Sequence, residues 1–105
     1  GDSIADDCMR LLAKDLIGIG KIEYAGAALE KAGDYMGAFK VYMRSGNYMG
    51  ALRLAMGYNL EVDIREIADK AFKADDVWTA ELGYDLLGDY GKVLECRKKS
   101  VELNI

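Results

Sequence analysis

The chain has 105 residues and a net charge of −4, from 14 Lys and Arg against 18 Asp and Glu, with no histidine and no proline. Hydrophobic residues make up 51% of it, which argues against disorder, yet no apolar run approaches the roughly 18 residues of a membrane-spanning helix. Without histidine the commonest general base and metal ligand is missing, and the acidic balance disfavours nucleic acid as a partner.

Hydrophobic periodicity predicts an all-α chain of about six to seven short helices. In chain order the predicted helices span 4–17, 21–32, 35–45, 48–57, 62–73, 76–87 and 90–103. The segment from Leu16 to Gly20 reads as a loop or a frayed helix end. Helices of this length are marginal alone, so each must bury an apolar stripe on its neighbours.

The stripes expected to face the core carry apolar residues three or four positions apart. They are Ala38, Phe39, Tyr42 and Met43; Ala51, Leu52, Ala55 and Met56; Ile64, Ile67, Ala68, Ala71 and Phe72; Trp78, Leu82 and Leu86, flanked by Val77 and Tyr84; and Tyr90, Val93, Leu94 and Val101. Gly37 and Gly50 recur at one register inside helices, where glycine costs about 1 kcal/mol relative to alanine. Their recurrence indicates either a close backbone crossing or drift at a tolerant surface position.

Three turns are nearly identical: Gly33-Asp34-Tyr35, Gly46-Asn47-Tyr48 and Gly88-Asp89-Tyr90. Glycine after a helix adopts the left-handed conformation at little steric cost, and the following Asp or Asn caps the next helix. A connection this short makes consecutive helices antiparallel neighbours. The turns therefore predict antiparallel helical hairpins stacked as a short α-solenoid.

A longer period of 42 residues underlies these turns. Shifting the chain by 42 positions pairs eight identical residues within 31–52, whereas chance would give about one. Each period contains three turns, so each helix and its turn occupy about 13–14 residues. We expect 1–105 to be a single solenoid segment and a fragment of a longer repeat array.

The stretch from Ala28 to Leu52 contains two successive motifs, Lys31-Ala32-Gly33-Asp34-Tyr35 and Ser45-Gly46-Asn47-Tyr48. It resembles the tetratricopeptide-like solenoids of intraflagellar transport subunits, of coatomer subunits and of the large Elongator scaffold subunit. The resemblance covers 28–60 well, 70–96 loosely and the ends poorly. It departs from the 34-residue tetratricopeptide consensus in its period and in lacking the helix-ending proline. It implies scaffolding without enzymatic activity.

The residues offer no recognisable catalytic, cofactor or metal site. The carboxylate pairs Asp6-Asp7 and Asp75-Asp76 stand where helices begin, which favours capping over catalysis. Gly18-x-Gly20-Lys21 lacks the first glycine and the Ser or Thr of a phosphate-binding loop. Cys8 and Cys96 are expected to be reduced and half-buried, with a disulfide between the two ends of the chain as the alternative. The basic run 97–99 is expected to be solvated helix surface.

The predicted partner surface consists of residues beside the turns. Met36 and Met49 follow the turn tyrosines Tyr35 and Tyr48, and Tyr90 occupies the third turn. Tyrosine is enriched at binding hot spots and methionine at adaptable surfaces, while junction packing and core filling are the alternatives.

These observations predict a cytoplasmic protein–protein interaction segment, and the resemblance implies that it serves a transport complex of a cilium or a vesicle coat. Its partners would be other subunits or the rest of its own array, and the apolar residues of the last helix also allow self-association. Nucleic-acid binding and membrane insertion are not expected. The alternative function is a stand-alone peptide-binding regulatory module.

Overall fold

The computed structural model describes residues 3–105, which form seven α-helices and no strand. The helices are α1 (Ile4–Gly18), α2 (Ile22–Lys31), α3 (Tyr35–Ser45), α4 (Tyr48–Gly57), α5 (Ile64–Lys73), α6 (Val77–Leu86) and α7 (Tyr90–Leu103). The all-α prediction of antiparallel helical hairpins is confirmed. The chain divides into a first compact unit that ends at Leu60 and holds α1–α4, and a second, Glu61–Ile105, that holds α5–α7.

The 42-residue period of the sequence is a three-helix repeat in the structure. The helices α5, α6 and α7 begin at Ile64, Val77 and Tyr90, each 42 residues after the starts of α2, α3 and α4. Every residue of α5 and α6, and residues 90–99 of α7, therefore has a counterpart in α2–α4 at the same helical register. This correspondence supplies an internal comparison for those positions.

The predicted turn chemistry is present at each repeated turn. Gly33, Gly46 and Gly88 are left-handed, with φ of 79°, 81° and 71°, and Asp75 takes the place of Gly33 in the second repeat with φ of 63°. The next residue caps the following helix, so Asp76 precedes α6 and does not belong to it. Asp63 likewise caps α5, which therefore begins two residues later than its periodicity predicts.

At Gly37 and Gly50 the first atoms that a side chain would meet belong to the cap of the same helix and not to a neighbouring helix. A Cβ at Gly37 would lie 2.5 Å from Oδ2 of its own cap, Asp34, and one at Gly50 would lie 2.8 Å from Nδ2 of Asn47. Both glycines donate a 2.9 Å hydrogen bond to the cap. Where Thr79 or Lys92 stands at the same register the bond is 3.3 Å, so the glycine lets the cap approach more closely.

The core of the first unit is built from small residues that let helices approach. A Cβ at Gly26 in α2 would overlap the ring of Tyr42, which lies across that helix from α3. The Tyr42 hydroxyl donates to the Glu30 carboxylate, and Arg53 in α4 donates to the same carboxylate at 2.9 Å. Burial and then the bond to Glu30 raise the pKa of Tyr42 to about 12.

The second unit repeats this arrangement with different partners. A Cβ at Gly83 in α6 would lie 2.9 Å from the Cβ of Ala68 in α5, so these two helices cross closely. Tyr84, the counterpart of Tyr42, donates its hydroxyl to Asp69, and burial is the main cause that raises its pKa. Lys99 in α7 lies 4.1 Å from the centre of the Phe72 ring and ties α7 to the end of α5.

The prediction of which apolar residues of α6 and α7 face the core is partly wrong. Trp78, Leu82 and Leu86 in α6 are exposed, and the helix is buried through Val77, Thr79, Ala80, Gly83 and Tyr84. In α7 the buried residues are Val93 and Cys96, whereas Tyr90, Leu94 and Val101 face solvent. Met56, expected in the core of α4, is also exposed, and Leu54 is buried there.

Candidate partner-binding surface

The outer face of α6 carries an apolar stripe that nothing in its own unit covers. We define the outer stripe of α6 as Trp78, Leu82 and Leu86, which are 68%, 40% and 47% exposed. Spacing of four residues places the three side chains on one side of the helix, one turn apart. Exposed apolar residues scattered singly are ordinary, but three in register on one short helix are typical of an interaction site.

The local sequence explains why these large residues point outward. On the buried side of α6, Gly83 approaches Ala68 so closely that even a Cβ would not fit there without a shift, while Tyr84 fills the space beside them. The Asp76 carboxylate accepts from the backbone N–H of Thr79 and fixes where the helix starts. Beside the stripe, Arg97 Nε donates to Glu81 Oε1 at 2.7 Å and holds α7 next to α6. The helix that carries the stripe is therefore held in place by its packing against α5 and by the ion pair with α7.

The repeat shows that this face need not be apolar. In α3 the counterparts of Trp78, Leu82 and Leu86 are Met36, Lys40 and Arg44. Lys40 and Arg44 are exposed and Met36 is half-buried, so the register faces outward in both helices. The two helices occupy equivalent places in the repeat and differ in the polarity of their exposed side chains. The apolar stripe is consequently a property of α6 and no requirement of the repeat.

The surroundings of the stripe are acidic. Residues 74–91 contain five Asp or Glu and no Lys or Arg. Residues 61–105 hold eleven acidic and seven basic residues, and residues 1–60 hold seven of each, so the whole net charge of −4 lies in the second unit. Glu81 is paired with Arg97, and Asp85 stands exposed one turn further along the helix.

The residues predicted from sequence as a partner surface differ in exposure. Tyr35 is half-buried and stacks on the Tyr58 ring, with ring centres 3.6 Å apart and planes 12° apart. Met36 and Tyr48 are half-buried. Met49 is exposed, and so is Tyr90 in the second unit. The sequence reasoning missed the outer stripe of α6, although the 42-residue alignment already pairs its two leucines with Lys40 and Arg44 and could have revealed it.

Other chemistry is sparse in the part of the chain that the structure describes. Over residues 3–105, His, Cys, Asp and Glu nowhere gather in a group of three that could hold a metal ion. Cys8 is an exposed free thiol and Cys96 a buried one, and burial raises the pKa of Cys96. In the basic run, Arg97 is paired with Glu81, and Lys99 with Asp75 at 2.9 Å. None of the described helices has the length and apolar character needed to cross a bilayer.

Comparison of the chain with known protein families, with curated proteins and with solved structures gives no match.

Proposed function

We propose that this chain is a protein–protein interaction segment that docks a partner through the outer stripe of α6. The observation that carries the proposal is the internal comparison: one repeat places Trp78, Leu82 and Leu86 where the other places Met36, Lys40 and Arg44. Burying three half-exposed side chains of this size on a partner is worth on the order of 2–4 kcal/mol. A helix laid along the stripe is the recognition mode that fits its spacing.

The turn motif favours a scaffold subunit of the intraflagellar transport or coatomer kind, working in the cytoplasm beside a cilium or a vesicle coat. The exposure of Leu94 in α7 supports membership of a longer array, because its counterpart Leu52 in α4 is fully buried. The alternative, a stand-alone peptide-binding module, predicts an exposed tyrosine or methionine stripe. Of the five residues of the partner surface predicted from the sequence, Met49 and Tyr90 are exposed and the other three are half-buried.

Site-specific photo-crosslinking in the organism's own cells tests the proposal. A photoreactive amino acid replaces Leu82 in one protein and Lys40, its counterpart, in the other. We expect position 82 to form a discrete adduct with another polypeptide and position 40 to form little. Equal adducts at both positions, or none at position 82, would contradict docking through α6.

A matched variant shows whether the adduct depends on the stripe. Trp78→Met combined with Leu86→Arg gives α6 the residues of α3 on either side of the crosslinker at position 82. Because these positions are exposed, the helical circular dichroism and the melting temperature should stay unchanged while the adduct is lost. An adduct that persists in a folded variant would exclude the stripe as the docking site.

A further inference from the structure

Resting on the proposed function, we infer that the occupant of the outer stripe of α6 is an amphipathic helix of another protein whose polar flanks are basic. The apolar part follows from the spacing of Trp78, Leu82 and Leu86, which matches the ridge that one helix presents to another. The basic part follows from the charge around the stripe. Complementary charge across an interface sets the partner and the register more than it sets the affinity.

The acidic surroundings are only partly neutralised within the second unit. Arg65, Arg97 and Lys99 pair with Asp89, Glu81 and Asp75 respectively. Asp85 lies between Trp78 and Leu86 along α6, is exposed, and has no basic residue on its own helix. Asp85 contributes to the electrostatics of Arg97, but Arg97 already donates to Glu81. A lysine or arginine on the partner would find at Asp85 a carboxylate without a dedicated ion pair.

A second copy of this chain is the competing occupant. Residues 35–60 carry three basic residues and no acidic one, and α3 exposes Lys40 and Arg44. That face offers charge but little apolar area, since its only apolar member, Met36, is half-buried. The large side chains of the stripe need an apolar counterpart to be covered. α3 of a second copy is therefore a poor occupant, whereas its α7, which exposes Tyr90, Leu94 and Val101, is distinguished from another protein by the concentration dependence described below.

Trp78 is the only tryptophan of the chain, so its fluorescence reports directly on the stripe. The probes are two 18-residue peptides without tryptophan, with leucine on one helical face and either Lys/Arg or Glu on both flanks. We expect the basic peptide to shift the Trp78 emission to the blue in a saturable titration, about tenfold tighter than the acidic peptide at low salt, with the preference falling as salt is raised.

Variants separate recognition of the stripe from attraction to a negative protein. Leu82→Gln with Leu86→Gln removes the apolar side chains without changing the charge, keeps Trp78 as the reporter, and should weaken the basic peptide at least about tenfold. Asp85→Lys should abolish the preference for the basic peptide, whereas Glu102→Lys in α7 makes the same change in net charge away from the stripe and should retain it. Both Asp85 and Glu102 are exposed, so these variants should fold.

Three results would overturn the inference. One is equal or tighter binding of the acidic peptide, and another is no emission shift with either peptide. The third is a blue shift that grows with protein concentration alone and disappears in the Leu82→Gln, Leu86→Gln variant, which identifies a second copy as the occupant. None of these decides the proposed function, because docking through α6 stands or falls with the crosslink at position 82.

Discussion

At the scale of single residues, Gly46 and Gly57 in the first unit both have open space for a methyl group. They differ in backbone conformation. An added Cβ finds no atom within 4 Å at Gly46 or at Gly57. Gly46 is left-handed with φ of 81°, whereas Gly57 is the last residue of α4 and has no positive φ. Gly46→Ala should therefore destabilise the protein by about 1–2 kcal/mol, and Gly57→Ala should stabilise it by up to about 1 kcal/mol.

Thermal or urea unfolding of both variants measures this contrast. The pair is matched because each change adds one methyl group into open space. A Gly46→Ala protein as stable as the wild type would show that the turn tolerates a side chain, and the interpretation of the repeated turns would fail with it.

The hydrogen bond between Tyr42 and Glu30 predicts a pH dependence. The folded protein raises the pKa of Tyr42 to about 12, above the value of about 10 for an unfolded chain. The stabilisation is thus fully present below pH 10 and is lost as the pH rises towards 12, because the folded state holds the proton more tightly. Tyr42→Phe should cost about 1–2 kcal/mol at neutral pH.

Unfolding of wild type and Tyr42→Phe between pH 7 and 11.5 tests this sign. Tyr84 titrates in both proteins, so its contribution cancels in the difference. We expect the gap in stability to be constant up to about pH 10 and to narrow above it. A gap that widens at alkaline pH would contradict the assignment of the proton to Tyr42.

At the scale of elements, the sequence predicted the helices well because their ends are written in local chemistry. The left-handed glycine and the capping Asp or Asn act within two residues, so Gly46-Asn47 marks the junction of α3 and α4 without reference to the rest of the fold. Which face of a helix is buried depends instead on distant neighbours. In α6 the close approach of Gly83 to Ala68 decides it, and that contact spans 15 residues.

The size of a side chain was therefore a misleading guide in α6. Trp78 and the two leucines are more hydrophobic together than the buried face, which includes Thr79, Ala80 and Gly83, so the hydrophobic pattern predicts the wrong side. The candidate site could not be found by periodicity alone for this reason. The register comparison between the repeats depends only on the 42-residue period, and it identifies the stripe without knowledge of burial.

One helix lacks the cap that the other described helices have. Lys21 precedes α2 with no side-chain hydrogen bond to the helix, whereas a Ser, Asp or Asn caps each of the other six helices in residues 3–105. Its backbone, with φ of −98° and ψ of 48°, is near that of Asp34, with φ of −90° and ψ of 75°. Lys21→Asp should stabilise the protein by about 1 kcal/mol by supplying an acceptor and a negative charge at the helix start.

Lys21→Ala is the control for this change, because it removes the lysine charge without adding a cap. We expect Lys21→Asp to unfold at a higher denaturant concentration than both the wild type and Lys21→Ala. If the aspartate and alanine variants unfold together, α2 gains nothing from a cap at this position.

At the scale of the whole molecule, the repeat places the same residue in two environments. Leu52 in α4 and Leu94 in α7 occupy one register 42 residues apart, yet Leu52 is 0% exposed and Leu94 is 64% exposed. Leu52→Ala should cost about 2–5 kcal/mol, because it removes a fully buried side chain and leaves a cavity. Leu94→Ala should change the stability by less than about 0.5 kcal/mol, since its side chain is mostly in water already.

Equilibrium unfolding of the two variants compares these environments within one protein. The change is chemically identical, so intrinsic helix propensity and the unfolded chain contribute almost equally to both. Nearly equal losses of stability would mean that α7 is covered in solution as α4 is, and a loss at Leu94 that grows with protein concentration would attribute the cover to another molecule. The expected inequality instead leaves the face of α7 free for a neighbouring repeat or subunit, as a scaffold segment requires.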